Sequence, residues 1–326
     1  DVYKRQFLGL TLDNGGHLSH GAKFHYSGRN FNALHYGVDK ETGMIDMDQV
    51  RQMALENKPK LIVTGASSYP RAIDYKAFRE ICDEVGAYFW VDCAHDCGLI
   101  AGGAIPSPVP YADVVTMSTQ KTLRGPRGCG VILCREELAA KLDRGVFPRL
   151  QGGPKGDMLA ARGVLFLELL QPEFKTYAHQ VCANAKALAQ GCQEEGMRII
   201  TGGTDTHMVM LNVTPVIANG QEAEDLLSSV GIVANKNMIP YDTLPPSLGS
   251  GLRIGSPTMT TRGAKEEEMK HIGHLLGRTL NNKNNPAMLA EIKEEIYKIA
   301  TSHPMFSSEW VSPSIREEFE AMYYNR

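Results

Sequence analysis

One lysine in the run Ser118-Thr119-Gln120-Lys121-Thr122-Leu123-Arg124-Gly125-Pro126-Arg127-Gly128 stands among small hydroxyl residues, directly ahead of a Gly-Pro-Arg-Gly turn. A lysine after a strand is usually a solvated surface charge. Here the preceding Val114-Val-Thr-Met-Ser-Thr is apolar or hydroxylic and the following turn is tight. The amine is therefore expected to be desolvated, with a lowered pKa, and usable as a nucleophile. Just upstream, Tyr88-Phe-Trp-Val-Asp92-Cys-Ala-His95 reads as a buried strand ending in a carboxylate. A lysine amine and an aspartate on adjacent elements suit pyridoxal phosphate. The amine forms a Schiff base, and the carboxylate keeps the pyridine nitrogen protonated so that the ring accepts electrons.

Other residues fit the same chemistry. His17 and His20, in Asn14-Gly-Gly-His17-Leu-Ser-His20-Gly, fall on a glycine-rich turn after the first strand, where a histidine ring can lie flat against a bound ring. Gln151-Gly152-Gly153-Pro154 exposes backbone N–H groups before a helix, which suits a phosphate; an ordinary turn is the alternative. Arg253 lies inside an apolar strand bounded by glycines, Ser250-Gly-Leu-Arg253-Ile-Gly, and calls for a carboxylate held by two hydrogen bonds. An internal Arg–Asp pair is the competing explanation there. Cys93-Ala-His95-Asp-Cys97 would place three possible metal ligands on one strand face, but the spacing is not that of a zinc site and no second ligand cluster accompanies it. No metal is expected.

These residues must be carried by a framework. Phe7–Leu12, 60–64, Tyr88–Cys93, Asp113–Ser118 and Gly130–Cys134 are strand-like, with helical periodicity over 46–56, 74–85 and 136–144. The alternation argues for βαβ units on a mostly parallel sheet with helices on both faces, an α/β fold. Helices are expected over 157–170, 172–195, 220–229, 263–280 and 286–300, with strands at 208–213 and 252–255 and a Pro/Ser-rich loop over 239–251. The chain thus divides into a large cofactor-binding domain (1–170) and a smaller α+β domain (171–326).

Composition narrows the class. The 326 residues suffice for two cores, and a net charge of −3 offers no basic field for nucleic acid or acidic lipid. No apolar run approaches the ~18 residues of a membrane span. The seven cysteines are scattered and odd in number, which fits free thiols in a reducing cytoplasm.

The motifs Gly15-Gly-His17-Leu-Ser-His20-Gly, Val91-Asp92-Cys-Ala-His95, Lys121-Thr-Leu-Arg-Gly-Pro-Arg127-Gly, Asn235-Lys-Asn237 and Ser250-Gly-Leu-Arg253-Ile-Gly together resemble the serine hydroxymethyltransferase (glycine hydroxymethyltransferase) family, from Gly9 to about Ala300. The resemblance implies a pyridoxal phosphate enzyme of the aspartate-aminotransferase-like fold (fold type I) that moves the serine β-carbon to tetrahydrofolate, leaving glycine and 5,10-methylenetetrahydrofolate. It implies roles for matching residues. Lys121 forms the Schiff base, Asp92 pairs with the pyridine nitrogen, His17 stacks on the ring, and Ser67 and His95 contact the ring hydroxyl and the substrate side. Gly153 offers its N–H to the phosphate of a neighbouring subunit, so the active site belongs to a homodimer or tetramer. Arg253 binds the amino acid carboxylate, and Asn237, Leu12, Gly16 and Leu18 line the tetrahydrofolate site.

Departures accompany the match. Gln120, beside the cofactor phosphate, replaces a frequent histidine. Lys155-Gly156-Asp157 replaces an apolar-x-His, Arg149-Leu150 replaces a glycine pair, and Gly255-Ser256-Pro257-Thr258 stands near a Gly-Thr-Pro-Ala. A threonine aldolase, an α-methylserine hydroxymethyltransferase, or a non-catalytic scaffold of the same fold are the alternatives. The chain opens Asp1-Val-Tyr-Lys-Arg-Gln without methionine and enters a strand at once. The expectation is that a natural N-terminal piece is missing and that the first six residues are foreign. By the resemblance, that piece would carry an acid/base glutamate, tyrosines reaching the partner's site and a Ser-Gly phosphate loop, so the chain as given is expected to be poorly active.

Overall fold

The computed structural model describes residues 6–305 and 312–323. The expectation about the first six residues falls outside these, except for Gln6, which opens a strand. The first part of the chain contains β1 (Gln6–Leu10), α1 (Tyr26–Asn30), β2 (Asn32–Tyr36), α2 (Met47–Asn57), β3 (Leu61–Thr64), α3 (Tyr75–Val85), β4 (Tyr88–Asp92), α4 (Cys97–Ala101), β5 (Val114–Ser118), β6 (Gly130–Cys134), α5 (Glu136–Arg144) and α6 (Gly156–Leu169). After α7 (Pro172–Glu194) come β7 (Arg198–Ile199), β8 (Met208–Asn212), α8 (Gly220–Ser229), β9 (Asn235–Asn237), β10 (Gly251–Gly255), α9 (Pro257–Thr261), α10 (Glu266–Asn281), α11 (Pro286–Ser302) and α12 (Pro313–Tyr323).

Two sheets organise these elements. The first has the order β2-β1-β3-β4-β5-β6, parallel throughout except for the antiparallel β6 at its edge. The second, β7-β8-β10-β9, is antiparallel. The α/β class expected from the strand–helix alternation is the class observed. Central strands are apolar on both faces, as a covered parallel sheet requires: Leu8, Ile62, Val63, Phe89 and Val91 are fully buried. Each such side chain contributes ~1.5–3 kcal/mol by leaving water.

Local signals set the helix ends. Asp46 and Asp74 cap α2 and α3 by accepting from the N–H groups of Gln49 and Ala77, both at 3.0 Å. The last helix of the second core's main pair, α10, starts at Glu266 rather than at Gly263. Three glutamates in its first turn favour the positive helix end, and the Lys265 N–H donates to Glu268 Oε2 at 2.9 Å.

Three expectations need correction. β1 stops at Leu10, because Leu12 is exposed and Gly15, at φ 100°, turns the chain away. β2, β7 and β9 were not anticipated; all three are short edge strands. Finally, Cys93, His95 and Cys97 do not share a strand face. The strand ends at Asp92, and the N–H groups of Asp96 and Cys97 both close on the Cys93 carbonyl, turning the chain into α4.

Two hydrophobic cores lie beneath the sheets, and α7 belongs to both. Phe174, Tyr177, Ala178, Val181 and Cys182 pack into the first, Leu188, Ala189 and Cys192 into the second.

Backbone crowding fixes the ends of the central strands. Gly65, after β3, has φ 126°, and a Cβ there would lie 2.1 Å from the Asp92 carbonyl oxygen. No other residue fits both restraints. Gly65→Ala is expected to cost ~3 kcal/mol or more, since neither strand end can retreat. Urea unfolding followed by circular dichroism would register the shift in midpoint.

Candidate active site

The loops that follow β1, β3, β4 and β5 all emerge at the carboxyl ends of parallel strands, where ligands collect in open α/β sheets. They enclose a cavity of about 210 Å³ lined by His17, Ser19, His20, Ala66, Ser67, Asp92, Ala94, His95, Thr116, Met117, Ser118 and Lys121. Three of its lining side chains are imidazoles, and two positions are alanines that leave width between them.

Lys121 reaches this cavity because its neighbours are tied down on either side. Thr119 is fully buried; its hydroxyl donates to the Pro126 carbonyl at 2.6 Å, and its carbonyl accepts from Gly125 N–H at 2.7 Å. The buried Thr122 hydroxyl donates to the His95 carbonyl at 2.6 Å and accepts from Gly98 N–H at 2.9 Å. A Cβ at Gly98 would sit 2.1 Å from the Thr122 carbonyl oxygen, so α4 and the lysine loop meet backbone to backbone. Arg124, at φ 63°, closes the turn with its guanidinium 4.0 Å above the Tyr177 ring. Burial pulls the Lys121 amine below the ordinary lysine range; Asp92 opposes this, and Arg253 adds to it.

Asp92 sits at the end of β4. Burial pushes its carboxyl up, yet the hydrogen bond and charge of His20, the Ala94 N–H and His17 outweigh burial and hold it below its ordinary value. The geometry explains how. Asp92 Oδ1 accepts from Ala94 N–H at 3.1 Å, and Oδ2 lies 3.2 Å from His20 Nε2. The His17 N–H donates to His20 Nδ1 at 3.4 Å, which leaves the proton on Nε2, facing the carboxylate. His20 is almost completely buried, edge-on to Trp90, whose indole N–H donates to Thr116 Oγ1 at 2.9 Å. His17 Nδ1 caps its own turn by accepting from Ser19 N–H at 3.2 Å. Burial lowers its pKa, with His20 adding to the effect and Asp92 opposing it.

His95 is driven down to about 2, first by burial and then by Lys121, His207 and Arg253. Its ring stacks on His207 at 5.7 Å and 12°.

The remaining candidates lie around this centre. Arg253, on β10, donates from Nη1 to the Ser67 carbonyl at 2.7 Å. The internal Arg–Asp pair does not form among the described residues, and burial alone lowers the guanidinium. Asn237, on β9, accepts from the Ser68 hydroxyl at 3.0 Å. Gly16 is buried against the Leu10 carbonyl, between the exposed Leu12 and Leu18. Gln120 is exposed and does not line the cavity, and Gly153 lies in a fully exposed stretch, 151–157. Those two are not brought to the centre. Sequence reasoning noticed His20 but gave it no role; the three-residue spacing to His17, one turn of a tight helix, was the signal that it faces inward. It missed Ser68 and Trp90 outright.

A family model described as serine hydroxymethyltransferase matches residues 3–276. A serine hydroxymethyltransferase of Coprothermobacter proteolyticus is 51% identical over 299 residues, 92% of this chain and 72% of the relative. One of Koribacter versatilis is 49% identical over 299 residues, covering 92% and 70%. The chain belongs to the serine hydroxymethyltransferase family. Its cofactor is accordingly pyridoxal phosphate, and the cavity suits that group: an amine kept easily deprotonated, a carboxylate kept ionised, and imidazole walls between them.

His95 carries a testable sign. Its folded pKa is depressed, so on acidification through the ordinary histidine range the unfolded chain takes up a proton that the folded chain refuses. Stability therefore falls as pH falls, by up to about 1.4 kcal/mol per pH unit from this residue. His95→Gln should lose less unfolding free energy than the unaltered protein between about pH 6 and 4.5, as read from urea titrations at both values.

Proposed function

We propose that this chain transfers the hydroxymethyl carbon of serine to tetrahydrofolate, reversibly giving glycine and 5,10-methylenetetrahydrofolate, with pyridoxal phosphate held in the cavity around Lys121. Family membership supports the reaction. The observation that carries the assignment of residues is the sharing of one cavity by Lys121 and Asp92, with His17 and His95 beside them.

When bound, the cofactor supplies an electron sink that weakens bonds at the amino acid α-carbon. Lys121 offers the amine that anchors it, made available by burial. Asp92 keeps a proton on the pyridine nitrogen, and His20 keeps Asp92 charged and aimed. His17 and His95 present neutral rings along the cavity walls, and Ser67 contributes from the β3 loop. Arg253 grips the substrate carboxylate. One of its N–H groups is committed to Ser67, and no carboxylate of the described residues neutralises it. Asn237, Leu12, Gly16 and Leu18 form the tetrahydrofolate side. The division of labour follows a cofactor-binding domain (1–170) and a small domain (171–326), with α7 connecting them.

We further infer a homodimer. Leu150, just before the open Gly153 stretch, and Val164, Leu167 and Leu170, along and at the end of α6, are exposed apolar side chains that a second copy would cover. Gly153 would then act at the partner's cofactor phosphate, and Gln120, next to Lys121, at the phosphate of its own subunit's cofactor. The buried free thiols agree with a cytoplasmic location.

Borohydride reduction of the protein loaded with pyridoxal phosphate should fix the cofactor to Lys121, seen by peptide mass spectrometry, and Lys121→Ala should carry no adduct. A label on another lysine would sink the assignment. Arg253→Ala should raise the serine KM ~100-fold, the worth of a charge-assisted pair, without changing cofactor uptake.

A further inference from the structure

We infer that Ser68 is a positioning residue that sets the orientation of the Asn237 carboxamide and thereby the affinity for tetrahydrofolate; this rests on the reading of Asn237 as part of the folate side. Asn237 Nδ2 donates to the Met238 carbonyl at 2.6 Å, an acceptor only, which identifies the nitrogen end of the amide. The oxygen end must then face Ser68, whose hydroxyl donates to Oδ1 at 3.0 Å. With both ends engaged the amide cannot flip. What remains for a ligand is one N–H of Nδ2 and one lone pair of Oδ1, in a fixed arrangement.

The position of Ser68 gives this bond its reach. Gly15 carbonyl accepts from both Ser67 N–H (2.8 Å) and Ser68 N–H (3.1 Å), so the dipeptide is tied to the loop that carries Gly16 and Leu18. Ser67 carbonyl accepts from Arg253, on β10, and Ser68 holds Asn237, on the adjoining β9, where Asn237 pairs with Gly251. Two consecutive residues of the loop after β3 thus hold one side chain each from the second sheet. The Ser67 link serves the amino acid; the Ser68 link serves the acceptor of the one-carbon unit. Losing the Ser68 hydroxyl frees the amide to rotate and leaves the Arg253 contact, made by backbone, untouched.

The test uses the full chain loaded with pyridoxal phosphate and glycine, with tetrahydrofolate binding measured by calorimetry under anaerobic conditions. Ser68→Ala should bind tetrahydrofolate about fivefold more weakly, the worth of one neutral hydrogen bond, with cofactor uptake and serine affinity unchanged. Combining it with Asn237→Ala should weaken binding no further than Asn237→Ala alone. Unchanged tetrahydrofolate affinity in Ser68→Ala, alongside weakened binding in Asn237→Ala, would overturn the role of Ser68 and leave the folate-side reading standing. Absence of binding by the unaltered protein, or no loss in Asn237→Ala, would overturn that reading and the role of Ser68 with it.

Discussion

A carboxylate at the floor of a half-closed cavity stays charged only when donors replace the water it has lost. Asp92 meets that condition with one donor on each oxygen: the Ala94 N–H just beyond the strand and the His20 ring across the sheet. Neither donor is free to turn. Ala94 is fixed by the turn that ends β4. His20 is fixed by the His17 backbone at one nitrogen, by the Trp90 edge against its ring and by near-complete burial. The rest of the site takes its electrostatic character from this anchored negative charge.

Around Asp92 the other charges are arranged by subtraction. His17 and His95 are kept neutral by burial, Lys121 is pushed toward its free amine, and Arg253 is a half-buried cation that no carboxylate of the described residues balances. Such a site favours a ligand that brings its own anionic groups and a ring to lie between imidazoles. The opposing roles of Asp92 and Arg253 on the Lys121 amine also mean that filling the arginine with a carboxylate eases the burden on the lysine.

Much of this was legible in the residues. Lys121 could be picked out because threonines and a Gly-Pro turn leave a lysine no water, and the structure shows both threonines buried and bonded. Asp92 was marked by its place at the end of an apolar strand. Arg253 left two explanations open, and only the fold shows that among the described residues no carboxylate pairs with it. The segment after Asp92 was read as continuing strand, because alternation in Cys-Ala-His-Asp-Cys says nothing about a carbonyl at Cys93 that closes a turn. Strand β9 escaped notice because an edge held by its neighbour needs no apolar pattern of its own, and β2 because Leu34 and Tyr36 are too few apolar positions to mark a strand. Ser68 escaped because it makes its bond across 169 positions, which no local pattern records.

The 23 residues of α7 run from one core into the other, a rod of roughly 35 Å whose early turns bury Phe174 and Val181 while its later turns bury Leu188 and Cys192. Asn184, fully buried at the changeover, ties the rod to Thr260 and to the Ala264 carbonyl at 2.8 Å each. Melting either core strips one half of the helix of its packing, and a helix so stripped is marginal in water. The two cores are therefore energetically joined, and heat or denaturant meets a single cooperative body instead of two that part at leisure.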